Sequence, residues 1–168
     1  MRGKVKSITF LGLCTALALI LAYLEAILPP LFPAIPGIKM GLPNIIVVFL
    51  LYRKSPLAAI GVSFVRILLA TLLFGNIMAL FYSLAGGFLS IVIMILLRRI
   101  NGFSTVGVSV SGAVCHNIGQ ILVAMLILET AALGYYMVVL AITGTIAGVL
   151  IGLCGAALIK KLPQKLIP

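Results

Sequence analysis

Six polar side chains in an otherwise apolar chain carry what chemistry this sequence can do. His116, Asn117 and Gln120 lie in "GAVCHNIGQ" (112–120). Arg66 interrupts "VSFVRILLA" (62–70), and Lys39 and Asn44 bracket "KMGLPN" (39–44). Imidazole, amides, an arginine and a lysine donate hydrogen bonds and positive charge. Such a set suits an anionic or polar organic small molecule, and a few groups of this kind in an apolar pocket fix a ligand's orientation. A metal cation is a poor match: His116 is the only histidine, and Cys14, Cys115 and Cys154 show no CxxC or Cys/His ligand spacing. The cysteines read as small packing residues, and no cofactor is expected.

Acidic residues are nearly absent. The chain has no aspartate, and its two glutamates are Glu25 and Glu129. Carboxylate-held magnesium, paired-carboxylate hydrolysis and a Ser-His-Asp triad all need acids that the chain lacks. No Walker A sequence occurs, so ATP cleavage by that route is excluded. These absences argue against an enzyme.

The elements that position the six residues follow from hydropathy. With 64% hydrophobic residues and a mean hydropathy of +1.37, the chain lies far above the roughly 45–50% apolar content of soluble domains. Its apolar runs approach the ~20 residues of a bilayer-spanning helix. The expectation is an all-α integral membrane protein, one domain over 1–168, with helices at about 8–28, 42–52, 56–75, 76–97, 104–128 and 131–159. The segment "PPLFPAIPGIKMGLP" (29–43) cannot be one regular helix, because each interior proline removes a donor and clashes with the preceding turn. The N-terminus imitates a signal peptide, but its apolar run continues to Leu28, so a retained first helix is expected.

Charge supports six spans. Arg2, Lys4, Lys6, Arg53, Lys54, Arg98, Arg99, Lys160, Lys161 and Lys165 then share one side, and Lys39 is left on the other. By the positive-inside rule both termini are cytoplasmic. The net charge of +10 then reflects topology and anionic lipid at the cytoplasmic basic loops, and no nucleic acid is expected.

Depth sharpens the site. Arg66 falls about eleven residues into the third helix, near the midplane, where an arginine costs roughly 2.5–3.5 kcal/mol on insertion scales. Its candidate partners are Glu25 and Glu129. Arg66 reads either as a structural pair or as the lining of a ligand cavity. His116 and Gln120 are one turn apart on one face, with Asn117 one residue round. They suit interhelical hydrogen bonding or a ligand face. Lys39, Asn44, Asn76, Tyr82, Ser83 and Glu129 map mostly to the outer half, which describes a pocket open to the outside. Two ladders of small residues allow close helix approach: Cys14, Ala18, Ala22 and Ala26, and Gly144, Gly148, Gly152 and Ala156.

"KMGLPNIIVVFLLY" (39–52), "SLAGGFLSIVIMILL" (83–97) and "GAVCHNIGQILVAML" (112–126) resemble the bacterial proteins labelled heptaprenyl diphosphate synthase component I, also called the Gx transporter family. The resemblance covers nearly the whole chain. That family in turn is similar to the substrate-binding S components of energy-coupling-factor (ECF) transporters. The resemblance implies an S-component-like bundle in the bacterial cytoplasmic membrane, which captures a small organic molecule outside and docks on a T subunit driven by two ATPases. Ala18 and Ala22 match the helix 1 alanine pattern that such docking uses, and the expected substrate-binding residues are Lys39, Asn44, Arg66, His116, Asn117 and Gln120. Arg2 stands where cobalt and nickel members carry a histidine, which argues against those metals. The synthase label implies another role. Polyprenyl synthases hold diphosphate through magnesium on aspartate-rich motifs, so a chain without aspartate fits at most a non-catalytic accessory subunit of polyprenyl diphosphate or quinone metabolism. A third reading is a membrane anchor in a larger complex.

Overall fold

The computed structural model describes residues 2–28, 41–164 and 167–168. Lys39, with the rest of segment 29–40, and Lys165 lie outside the described residues. The elements are α1 (Arg2–Ile27), α2 (Asn44–Arg53), α3 (Pro56–Phe74), α4 (Ile77–Arg98), α5 (Thr105–Ile127), a 3₁₀ turn (Ala131–Tyr136) and α6 (Met137–Lys161). All regular structure among the described residues is helical.

Side-chain caps set three of the starts. Ser55 accepts from the Ala58 N–H at 3.1 Å with Pro56 in the first turn, Asn76 accepts from Ala79 at 2.8 Å, and Ser104 accepts from Gly107 at 3.1 Å. Asn76, expected among the outer polar residues, is therefore occupied as the α4 cap. Helix α1 begins six residues before its expected start, because residues 2–7 hold no proline and a single glycine, Gly3, costs only about 1 kcal/mol in a helix.

Among the described residues, five helices are long and apolar enough to cross a membrane. The second expected span is different. Helix α2 has 10 residues, or about 15 Å at 1.5 Å per residue, half of the ~30 Å hydrocarbon core. Six consecutive residues, Ile46–Leu51, are buried, as befits a helix that is apolar on all sides. Packed on α1, α3 and α6, α2 forms the centre of the core with Cys14, Ala18, Val62, Met94, Val108 and Ile151.

Two basic residues of the expected cytoplasmic loops also belong to this packing. Arg53 donates to the carbonyls of Ile159 and Leu162 (2.6 Å for the latter) and to Gln164 Oε1 at 2.7 Å. It thus satisfies the exposed carbonyl end of α6, where a cation is also favoured by the helix dipole. Arg98 lies over the Tyr52 ring, 5.3 Å from its centroid. These two guanidiniums bind the protein to itself rather than offering free charge to lipid.

Helices α4, α5 and α6 pack closely through glycines. A Cβ at Gly119 would lie 2.8 Å from the Ala85 carbonyl oxygen, and one at Gly148 would lie 2.6 Å from Val110 Cα. The α6 ladder therefore works inside the bundle. The α1 ladder is inside the bundle over most of its length: Cys14, Ala18 and Ala22 are buried, whereas Ala26 is exposed. A stripe of small residues permits close approach on whichever side it faces, and here it faces α3.

Helix α5 ends in a Schellman arrangement, in which the Thr130 N–H reaches the Met125 carbonyl at 3.3 Å across Glu129 at φ 48°. A left-handed conformation at a non-glycine residue costs roughly 1–2 kcal/mol. Glu129→Gly is thus expected to stabilise the protein by about 1 kcal/mol, read as a rise in melting temperature in detergent. An unchanged or lower melting temperature would mean that the Glu129 side chain has a stabilising role.

Candidate functional site

The polar residues converge at the end of the bundle where α3 turns into α4. Glu25 comes from α1, Asn44 from the first turn of α2, Arg66 from α3, Ser83 from α4, and His116 and Gln120 from α5; together they line one cavity. Each side chain arrives for a local reason. Gly41 has φ +80°, which L side chains rarely adopt. Its turn lets its own N–H donate to Glu25 Oε1 at 2.5 Å while its carbonyl accepts from the Asn44 N–H at 2.8 Å. A single glycine thereby ties α1 to the start of α2.

Arg66 is 9% exposed and Glu25 is also 9% exposed. The carboxylate of Glu25 interacts electrostatically with the guanidinium of Arg66. This resolves the choice between the two candidate acids, since Glu129 is exposed in the α5 turn. A buried arginine needs such a partner. Arg66 Nε has no hydrogen-bond partner among the described residues.

His116 and Gln120, 9% and 8% exposed, face α4. Their room depends on Gly86, where a Cβ would lie 3.0 Å from both His116 Cε1 and Gln120 Cγ. The cavity volume is about 30 Å³. That is space for about two waters, or for the oxygens of one small polar group.

Of the six expected binding residues, the structure brings together Asn44, Arg66, His116 and Gln120, and Lys39 lies outside the described residues. Asn117 stands apart from these four. It does not line the cavity; its amide donates to the Leu140 carbonyl of α6 at 2.8 Å. One residue turns a helix by about 100°, enough to carry Asn117 from the α4 side of α5 to the α6 side. It lies with Val106, Val110 and Ala113 against the α6 glycines. The Gly41 turn, Ile67, Thr71, Gly75 and the small residues Ala22, Ala70 and Ala79 complete the lining. Those alanines carry no chemical signature in the sequence, but the Lys-x-Gly-Leu-x-Asn segment contains the turn.

Fold and site together define a helical, multi-pass membrane protein with a buried cluster of hydrogen-bonding and charged groups between its helices. A family model for heptaprenyl diphosphate synthase component I matches residues 14–158, and the chain belongs to that family. No curated protein and no solved structure matches the chain.

Proposed function

We propose that the chain is a non-catalytic membrane subunit that works beside a separate catalytic chain in polyprenyl diphosphate metabolism. The observation that carries this reading is the family match over 14–158 in a chain with no aspartate. Diphosphate held through magnesium needs clustered carboxylates. Here Glu25 is engaged with Gly41 and Arg66, and Glu129 stands apart in a turn. Condensation chemistry therefore falls to the partner, and this chain provides a site inside the bilayer. In this reading the chain spans the bacterial cytoplasmic membrane six times, with segment 29–40 assisting α2, and both termini face the cytoplasm. Lys4, Lys6, Lys54, Arg99, Lys160 and Lys161 are then among the basic groups available to a soluble partner or to anionic lipid.

The test is reconstitution. The catalytic chain from the same organism, assayed in liposomes with and without this protein, is expected to give several-fold more long-chain product when the protein is present. Equal product in both would refute the proposal.

A second reading is the substrate-binding subunit of an ECF-type importer, docked on a T subunit with two ATPases. The polar cavity favours it, since Asn44, Arg66, His116 and Gln120 suit a small polar or anionic organic molecule. It stands second because about 30 Å³ must widen for a vitamin-sized guest, and because Ala18 and Ala22 face inward. ATP-dependent uptake that requires both this chain and a T subunit would favour the importer.

A further inference from the structure

We propose that a groove between α3 and α4 holds one acyl chain of an anionic phospholipid, whose headgroup rests on Lys54 and Arg99 at the basic end of the bundle. Such a site requires only that α3 and α4 cross the membrane, so it would serve a synthase subunit and an importer alike.

The groove has a volume of about 280 Å³. Ser63, Ile67 and Ile91 form a buried floor, whereas Ile60, Phe64 and Phe88 on the rim are exposed, Phe88 by 70%. Gly87 gives the groove depth, since a Cβ there would already lie 3.0 Å from Ile67 Cδ1. A trough that opens sideways along two helices able to cross a membrane faces hydrocarbon. A cavity of about 150 Å³ accepts a benzene ring, so this one takes roughly ten carbons, a large share of one acyl chain.

Depth selects the occupant. Helix α3 has 19 residues, or about 28 Å, and barely spans a ~30 Å hydrocarbon core. Pro56 therefore lies at one boundary of that core, on the side where α4 ends at Arg98. The groove begins on this side, at Ile60 and Ile91, and ends at Ile67 and Leu84. At 1.5 Å per residue it runs from about 6 to about 16 Å below Pro56, and so stops near the bilayer middle. A chain from the leaflet at the basic end fills that depth. A partner's membrane-spanning helix would use a seam along the whole thickness, and this one covers about a third of it.

Charge selects the headgroup. Lys54 stands two residues before Pro56, and Arg99 directly follows α4. Their neighbours are occupied: Arg53 donates to the α6 carbonyls and Arg98 lies over Tyr52. Lys54 is half-buried and Arg99 is exposed. Neither glutamate neutralises them, because Glu25 lies near the far end of α1 and Glu129 just beyond the far end of α5. Basic side chains beside a spanning helix attract anionic lipid.

The experiment photolabels the full chain in nanodiscs. Phosphatidylglycerol or phosphatidylcholine carries a diazirine midway along one acyl chain, and labelled peptides are mapped by mass spectrometry. Phosphatidylglycerol is expected to label segments 60–67 and 84–91 several-fold more than the open faces of α1 and α6, where Ile8 and Leu150 are exposed. Gly87→Leu, whose added Cβ meets only the side-chain ends of Ile67 and Ser63, should lower that labelling to the level of α1. Lys54→Gln combined with Arg99→Gln should remove the preference over phosphatidylcholine. Even labelling of all exposed faces would mark bulk lipid only and overturn the proposal. So would groove labelling by phosphatidylcholine equal to that by phosphatidylglycerol in the parent, or labelling of Gly87→Leu within twofold of the parent. Should Gly87→Leu fail to fold, competition in the parent decides: groove labelling that unlabelled phosphatidylglycerol suppresses no better than unlabelled phosphatidylcholine overturns the proposal. Stimulation of a catalytic chain and ATP-dependent uptake are separate measurements, so failure of this site leaves both functional readings standing.

Discussion

Glu25→Gln alone is expected to destabilise the protein by about 3–5 kcal/mol, the range for breaking a buried charge pair by removing one partner. The substitution keeps the size of the side chain and a hydrogen-bond acceptor for the Gly41 N–H, but it strands the charge of Arg66 at 9% exposure. The double substitution Glu25→Gln, Arg66→Met removes both charges and should recover most of the loss, since apolar replacement of a whole buried pair is often neutral or better. Melting curves of parent, both single variants and double variant in one detergent form the cycle. Simple additivity would show that the two side chains are not coupled and that Arg66 is stabilised elsewhere. The cycle also separates stability from ligand binding, because the double variant is expected to be stable yet unable to retain an anionic ligand.

The features legible in the sequence were those in which a rule has one structural solution. Hydropathy placed α3, α4 and α5 within a few residues of their observed ends, where Ser55, Asn76 and Ser104 each satisfy an orphan N–H group. Arg66, His116 and Gln120 stood out because a polar side chain within an apolar span is too costly to leave facing lipid. Other features were less legible, because their patterns have more than one structural solution. Asn117 shares a segment with His116 but not a face. The α1 ladder signals close approach without naming the neighbour. Helix α2 has the hydropathy of a span but half the length, and its burial comes from being surrounded by α1, α3 and α6.

The site depends on distant packing, and Gly148→Leu is the sharpest test of that dependence. Without a strong hydrophobic drive between helices in lipid, association relies on close backbone contact. At Gly148 the atom in the way is backbone, Val110 Cα at 2.6 Å, so no side-chain rotation can make room. Gly144 and Gly152 repeat the approach one turn to either side, with Asn117 Nδ2 and Val106 Cα each 2.8 Å from the added Cβ. A leucine at 148 must therefore push α6 off α5 along the whole ladder, break the Asn117–Leu140 hydrogen bond and let α5 shift. The expected loss is about 3 kcal/mol, at the top of the overpacking range, and His116 and Gln120 should move with the helix. The matched control is Gly61→Ala on α3, where an added Cβ meets nothing within 4 Å. There the better helix former should be neutral or stabilise by up to about 1 kcal/mol. Thermal melts of the two variants should thus diverge in sign or by several degrees. Similar melts for both would mean that α5 and α6 do not meet through the glycine ladder, and that the placement of His116 and Gln120 rests on other contacts.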